Sequence, residues 1–149
     1  MSDLAYNKLA NRDYDILEKF EAGLKLTGQE VKSVRATHMK IQGAYVTIAR
    51  GEVSLIGAHI PAWKPAGPLP SYDAARSRKL LLHKREISYL IGRADTKGLT
   101  LIPLRVYTRG SKLKLEFGLG RGRKQYEKRE IIKKRDVDRE IRTALKRRN

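Results

Sequence analysis

The residues best suited to chemistry lie in one run, Gly118-Leu119-Gly120-Arg121-Gly122-Arg123-Lys124-Gln125-Tyr126-Glu127-Lys128-Arg129. Three glycines at alternate positions allow the backbone to bend and to lie close to a partner. Arg121, Arg123, Lys124, Lys128 and Arg129 carry the charge for phosphate contacts, and Tyr126 offers a ring on which a base can stack. A second constellation runs Arg78-Lys79-Leu80-Leu81-Leu82-His83-Lys84-Arg85. Read as the start of a helix, its three leucines cannot share one face, because successive residues point ~100° apart. Leu80 and His83 then lie near the buried side and Leu81 and Leu82 swing outward, where an unstacked base could rest between cations; the plainer reading packs the leucines under a neighbouring loop. A third candidate is Glu30, an acid among Lys25, Lys32 and Arg35. It completes a Thr-x-x-Glu capping box with Thr27, and a carboxylate can also accept hydrogen bonds from the donor edge of an unpaired base.

Catalytic chemistry finds little support. His38, His59 and His83 have no partner at metal-ligand spacing, and no nucleophile sits beside a base. The Gly118-Leu119-Gly120 run is followed by Arg123 where a dinucleotide fingerprint needs glycine. The expectation is therefore no catalytic residue, no metal and no cofactor.

The charge balance points to a polyanionic partner. The 149 residues carry 33 Lys and Arg against 16 Asp and Glu, a net charge of +17; such a surface repels itself until an anion relieves it. Residues 121–149 hold 13 of the basic side chains against 5 acidic ones, so a basic body carries a still more basic tail. No apolar run approaches the ~20 residues of a membrane span, no leader pattern opens the chain, and there are no cysteines. These features predict a cytoplasmic, membrane-free monomer.

The elements that must position these residues follow from periodicity. Residues 1–10 read as an arm. Tyr14 to Leu26 predicts a long strand with a bulge or bend at Gly23, and Thr27 to about Thr37 a short helix with Val31 and Val34 inward. Ala44–Ala49 and Val53–Ile60 predict a hairpin about Arg50-Gly51-Glu52. Pro61–Pro70, with four of the five prolines, predicts a loop. Ser77 to about Ala94 reads as the longest helix, with Ile87, Leu90, Ile91 and Ala94 on one face. Leu99–Tyr107 and Lys112–Leu119 predict two strands about Arg109-Gly110-Ser111. Val137, Ile141 and Leu145, with Ala144 beside them, predict a tail helix over 133–149 capped by Asp136. At about thirteen residues it is marginal in isolation, which predicts a tail disordered when free and helical on a partner. The fold class expected is mainly β: an oligonucleotide-binding-type, partly open antiparallel barrel over 1–120 with two to three flanking helices, and a basic tail over 121–149. A two-layer α+β sheet is the alternative.

Three of these stretches carry a resemblance. Phe20-Glu21-Ala22-Gly23 with Thr27-Gly28-Gln29-Glu30-Val31-Lys32-Ser33, then Arg78 to Glu86, then Gly118 to Arg129 ending in Lys-Gln-Tyr-Glu-Lys-Arg, together closely resemble the small protein B family, the bacterial SsrA-binding proteins. The resemblance implies an oligonucleotide-binding-type barrel that binds the tRNA-like domain of transfer-messenger RNA (SsrA), a tail that enters the decoding site and vacant mRNA channel of the small ribosomal subunit, and delivery by elongation factor Tu. That is rescue of stalled ribosomes by trans-translation, with no catalysis by this chain. It assigns RNA contact to Glu30, Leu81 and His83, with Lys32, Arg35, Leu82 and Lys84 beside them. Gly122 and Arg123 to Arg129, with Lys124, Gln125, Tyr126 and Lys128 among them, match the decoding-site segment, and Arg121 just before it is expected to join it; some relatives carry His at position 126. The tail's apolar contact falls on Ile141 or on Ala144-Leu145. A general basic RNA chaperone or ribosome-associated structural protein is the competing function.

Overall fold

The computed structural model describes residues 3–67, 70–123 and 125–148. Strand β1 (Asp3–Tyr6) and helix α1 (Ala10–Asp13) lead into β2 (Tyr14–Leu24), and α2 (Gly28–Arg35) precedes the hairpin of β3 (Tyr45–Ala49) and β4 (Glu52–Ile56). Then come β5 (Arg78–Leu81), α3 (Lys84–Ala94), β6 (Leu99–Arg109), β7 (Lys112–Gly122) and α4 (Gln125–Arg148). The strands are antiparallel. They run round in the order β6-β3-β4-β5-β2-β7, β7 pairs back onto β6, and β1 lies beside the half of β6 that β3 leaves free.

Closure is uneven. The long strands β6 and β7 pair from Leu99–Arg121 to Arg109–Lys112, whereas β3 meets β6 at Val46–Leu101 and β2 meets β5 at Gly23–Leu81 and Leu24–Leu80. This is the predicted partly open barrel with flanking helices. Its core follows from strand periodicity: along β7, Leu113, Leu115, Phe117 and Leu119 are buried while Lys112, Lys114 and Glu116 face out, as side chains alternate across a sheet. Val53, Leu55, Leu80, Leu101 and Val106 join them, with Val34 of α2 and Leu90 of α3 packed on. Both predicted hairpins form. Arg50 (φ 53) and Gly51 (φ 75) make the β3–β4 turn, and two left-handed residues suit the strand twist.

Four expectations are corrected. The N-terminal arm is β1 and α1, tied down where the Asn7 side-chain amide donates to the Pro103 carbonyl at 3.0 Å and its backbone amide to Leu104 at 2.9 Å. The bulge in β2 falls between Ile16 and Glu18 rather than at Gly23, which pairs on both sides. Residues 77–94 do not form one helix: β5 comes first, and α3 starts at Lys84 behind His83. Finally, α4 begins at Gln125, so Asp136 lies inside a helix rather than at its cap.

The glycine run is corrected too. Gly118 and Gly120 are buried residues of β7, paired with β2 and β6, so they do not act as a hinge. A Cβ on Gly118 would sit 2.8 Å from Ile16 Cγ2, and one on Gly120 3.0 Å from the Asp15 carbonyl oxygen and 3.1 Å from Ile102 Cδ1. The missing side chains admit a second, smaller core of Ala10, Ile102 and Leu104 with Tyr14 and Ile16. Gly122 has open space around it. Gly120→Val should therefore lower stability by about 1–3 kcal/mol through overpacking, read as a drop in the urea midpoint, while Gly122→Ala leaves it unchanged. An undiminished midpoint in Gly120→Val would contradict the packing role.

Candidate nucleic-acid interface

Alternation along β5 decides what this strand offers. Arg78 and Leu80 are buried, and Lys79 and Leu81 are exposed. Leu82 is partly buried against the core, so it is Leu81, half exposed, that faces out. His83 and Lys84 are exposed at the start of α3, where the Glu86 carboxylate accepts from the His83 amide at 3.0 Å.

Arg78 is fully buried, and all five of its N–H groups are used. Nε and Nη2 donate to Glu30 Oε2 at 3.1 and 2.7 Å, Nη2 also to the Tyr72 hydroxyl at 3.3 Å, and Nη1 to the carbonyls of Ala58 and Ala74 at 3.0 and 2.9 Å. Glu30 is equally enclosed. Its Oε1 accepts from the Thr27 amide at 3.0 Å and from Arg76 Nη2, and the Glu30 amide donates to Thr27 Oγ1 at 3.3 Å. The predicted capping box is present, but a free acceptor for a base edge is not: the Glu30 side chain is 0% exposed. Burial alone would raise this carboxyl's pKa. The Thr27 amide and the Arg78 and Arg76 guanidinium groups outweigh burial and lower it from 4.5 to about 2.

Leu81 opens onto a groove of about 700 Å³ floored by Phe20, Gly23 and Leu82 and rimmed by Lys19, Lys112, Lys114 and His83. Gly23 is its central feature. It lies between Leu81 of β5 and Lys114 of β7 in one cross-strand row, so a gap of about 10 Å, two strand spacings, separates an apolar from a cationic side chain. A Cβ at 23 would sit 3.3 Å from Leu81 Cβ. Of the two acids on the rim, Glu86 is committed to His83, and Glu21 accepts from the Tyr107 hydroxyl and pairs with Arg109 at 3.1 Å. Burial, and then Glu21, pushes Tyr107 up to about 12. The groove thus faces solvent as lysine, histidine and leucine, a surface suited to phosphate contacts and an unstacked base.

The remaining predicted residues divide. Lys32 is exposed on α2, and Arg35 donates to the Ser111 carbonyl at 2.9 Å, fastening α2 to the β6–β7 turn. Arg121 and Gly122 are exposed at the end of β7. Arg123 is held by the body: its amide donates to Asp13 O at 2.8 Å and its Nε to Asn11 O at 3.0 Å, which fixes where the chain leaves the barrel. Lys124 lies outside the described residues. Gln125, Tyr126, Lys128 and Leu145 are described only by their helical backbone in α4. Val137, Ile141 and Ala144 are exposed on that helix. Lys19, Lys112 and Lys114 were missed. The alternation Lys112-x-Lys114 was a usable signal, since it puts both on one strand face; Lys19 had none. Among the described residues no helix is long and apolar enough to cross a membrane, and no group of three or more His, Cys, Asp or Glu could hold a metal.

An open antiparallel barrel with a cationic, apolar-floored groove defines an oligonucleotide-binding type of protein. The family profile described as "SmpB protein" matches residues 4–147. The SsrA-binding protein of Chloroflexus aggregans (strain MD-66 / DSM 9485) is 47% identical over 145 residues, 97% of this chain and 92% of that one. The SsrA-binding protein of Microcystis aeruginosa (strain NIES-843 / IAM M-2473) is 48% identical over 141 residues, 95% of this chain and 92% of the relative. A solved structure described as "tmRNA-SmpB: a journey to the center of the bacterial ribosome" superposes with a TM-score of 0.66 at 41% identity, covering 80% of this chain and 84% of that one. The chain belongs to the SmpB family.

The buried acid generates a pH prediction. A carboxyl lowered on folding stabilises the fold fully above its unfolded pKa, and that contribution is lost as pH falls through the folded value. For Glu30 the window runs from 4.5 down to about 2. Glu30→Gln should be less stable at pH 7 by about 3–5 kcal/mol, the cost of leaving buried Arg78 without its carboxylate. The gap between variant and parent, followed by urea titration, should close as pH falls through that window. A gap independent of pH would show that the carboxylate charge is not what stabilises the site.

Proposed function

We propose that this protein is an RNA-binding factor of trans-translation. Its body holds the tRNA-like domain of transfer-messenger RNA against the face made by β5, β2 and β7, and its C-terminal segment acts in the decoding site and empty mRNA channel of the small ribosomal subunit. The observation that carries the first half is the groove in which Leu81, His83, Lys19, Lys112 and Lys114 converge around Gly23; family membership supplies the RNA. Leu81 offers an apolar platform to a base, His83 a ring and a hydrogen-bonding edge, and the lysines contact phosphates. Elongation factor Tu delivers the complex, the protein works in the cytoplasm as a monomer, and the chemistry of tagging belongs to its partners.

For the second half, α4 carries the argument. From Ile132 to Ala144 every described residue is exposed, with Val137 at 46% and Ile141 at 53%. Over residues 132–144 no described side chain packs on the body, and a helical segment without tertiary contacts is marginal in water. The segment is therefore disordered in the free protein and becomes helical on the ribosome, where a channel covers the Val137–Ile141 strip and basic side chains meet RNA phosphates. Arg121 and Tyr126 stand at the root of that helix, where the decoding site is met.

The test separates the two surfaces. Leu81→Ala should weaken binding to transfer-messenger RNA by about tenfold, or 1.4 kcal/mol. Lys114→Ala should lower the slope of log affinity against log salt by ~0.7–0.9, one phosphate contact. Deleting 130–149 should leave that affinity nearly intact while abolishing peptide tagging on stalled ribosomes. Joint loss of binding and tagging on deletion would overturn the two-surface reading, and equal affinity for unrelated structured RNA would point to a general chaperone.

A further inference from the structure

The Glu30 cluster carries an inference about how that acid serves RNA binding, and it rests on the reading just given. A carboxylate that reads a base needs a free lone pair and a path to solvent. Glu30 has neither, because Thr27, Arg76 and Arg78 occupy its oxygens and the side chain is fully buried. Arg78 cannot reach RNA either, being fully buried with five N–H groups all bonded.

Arg76 differs from both. Its side chain is 37% exposed, and it spends Nη2 on Glu30 and one Nη1 hydrogen on the Ser77 carbonyl at 3.3 Å. A guanidinium has five N–H donors in a rigid fork, so Arg76 retains more than it uses. Charge points the same way. One carboxylate between two guanidinium groups leaves one positive charge in excess, and it emerges on the arginine that meets solvent. Lys79 and Lys25 are exposed nearby where the Lys25 amide donates to the Lys79 carbonyl at 3.0 Å. On the β5 side, exposed Ser77, Lys79 and Leu81 alternate outward from Arg76 toward the groove, with Lys79 paired to Glu52 at 3.6 Å, so Arg76 and the Leu81 groove lie along one solvent-facing edge.

We propose that Glu30 is a positioning residue for RNA binding: it aims the exposed fork of Arg76 at the phosphate backbone, extending the Leu81 groove along β5, and does not touch a base. Arginine suits this place because its fork pairs bidentately with a phosphate while its far side stays bonded to the carboxylate.

The test uses the full-length chain, a transfer-messenger RNA transcript and an unrelated structured RNA of equal length. Arg76→Gln, which leaves the buried Glu30–Arg78 pair in place, should weaken transcript binding roughly tenfold and lower the salt slope by about 1, with its thermal midpoint near that of the parent. Arg76→Lys, keeping the charge and the Glu30 pair, should retain the slope. In a double-mutant cycle at a temperature where Glu30→Gln is folded, the two losses should not multiply, because both act through one guanidinium. Parental affinity and slope in Arg76→Gln would overturn the inference, as would losses that multiply. A parent that binds both RNAs alike would overturn the underlying function; a discriminating parent with an inert Arg76 would overturn this inference alone.

Discussion

The structure turns on the ion pair between Glu30 and Arg78. Burying two charges is costly, and their attraction repays the loss of water only when every remaining donor and acceptor is also met. Here it is. Arg78 has an acceptor for each N–H, Glu30 has donors on both oxygens, and the Tyr72 hydroxyl donates onward to the Ile60 carbonyl at 2.6 Å. Four separate pieces of chain converge on these groups: Thr27 at the start of α2, Ala58 and Ile60 after β4, Tyr72 and Ala74 in the loop, and β5 itself. A sheet slips by one residue only by exchanging its inner and outer faces. With Arg78 pinned inward, Lys79 and Leu81 must point outward. The pair is therefore what presents the Lys79 and Leu81 side of β5 to solvent.

Space left by glycine is the second constraint. Gly23 keeps the floor between Leu81 and Lys114 clear, and Gly118 and Gly120 let Ile16 and Ile102 close over the outer face of β7. That packing, with Arg123 bonded to Asn11 and Asp13, makes the exit from the barrel a firm one. Under the proposed function the tail has to reach one place, and a firm exit favours that. An arm leaving at any angle would lose more orientational freedom on binding, and that loss is subtracted from affinity.

What the sequence revealed and what it concealed divide by range of interaction. The hairpins about Arg50-Gly51 and Gly110 were readable because turn chemistry and period-two alternation are local. The barrel class followed from counting such strands. Strand β5 was concealed because four residues run straight into a helix, and three leucines in a row fit either period. Its identity comes from Glu30, 48 residues away. The same distance hid the role of Glu30: Thr27 showed the cap, and nothing local showed the arginines. Lys19 joined the groove only through strand adjacency, and Gly118 and Gly120 gave a misleading signal, since alternate glycines suit close packing as well as bending.

Taken together, an ion pair sets a strand face, glycine shapes a groove in it, and lysines charge its rim; a basic helix leaves the other end of β7. The central claim is that this face selects one structured RNA. Crosslinking the full-length protein in its native cell, recovering it and sequencing the attached RNA tests this most directly. The expected result is a single dominant RNA with a tRNA-like end, crosslinked within that end and lost in Leu81→Ala. Crosslinks spread over unrelated transcripts in proportion to their abundance would contradict the claim.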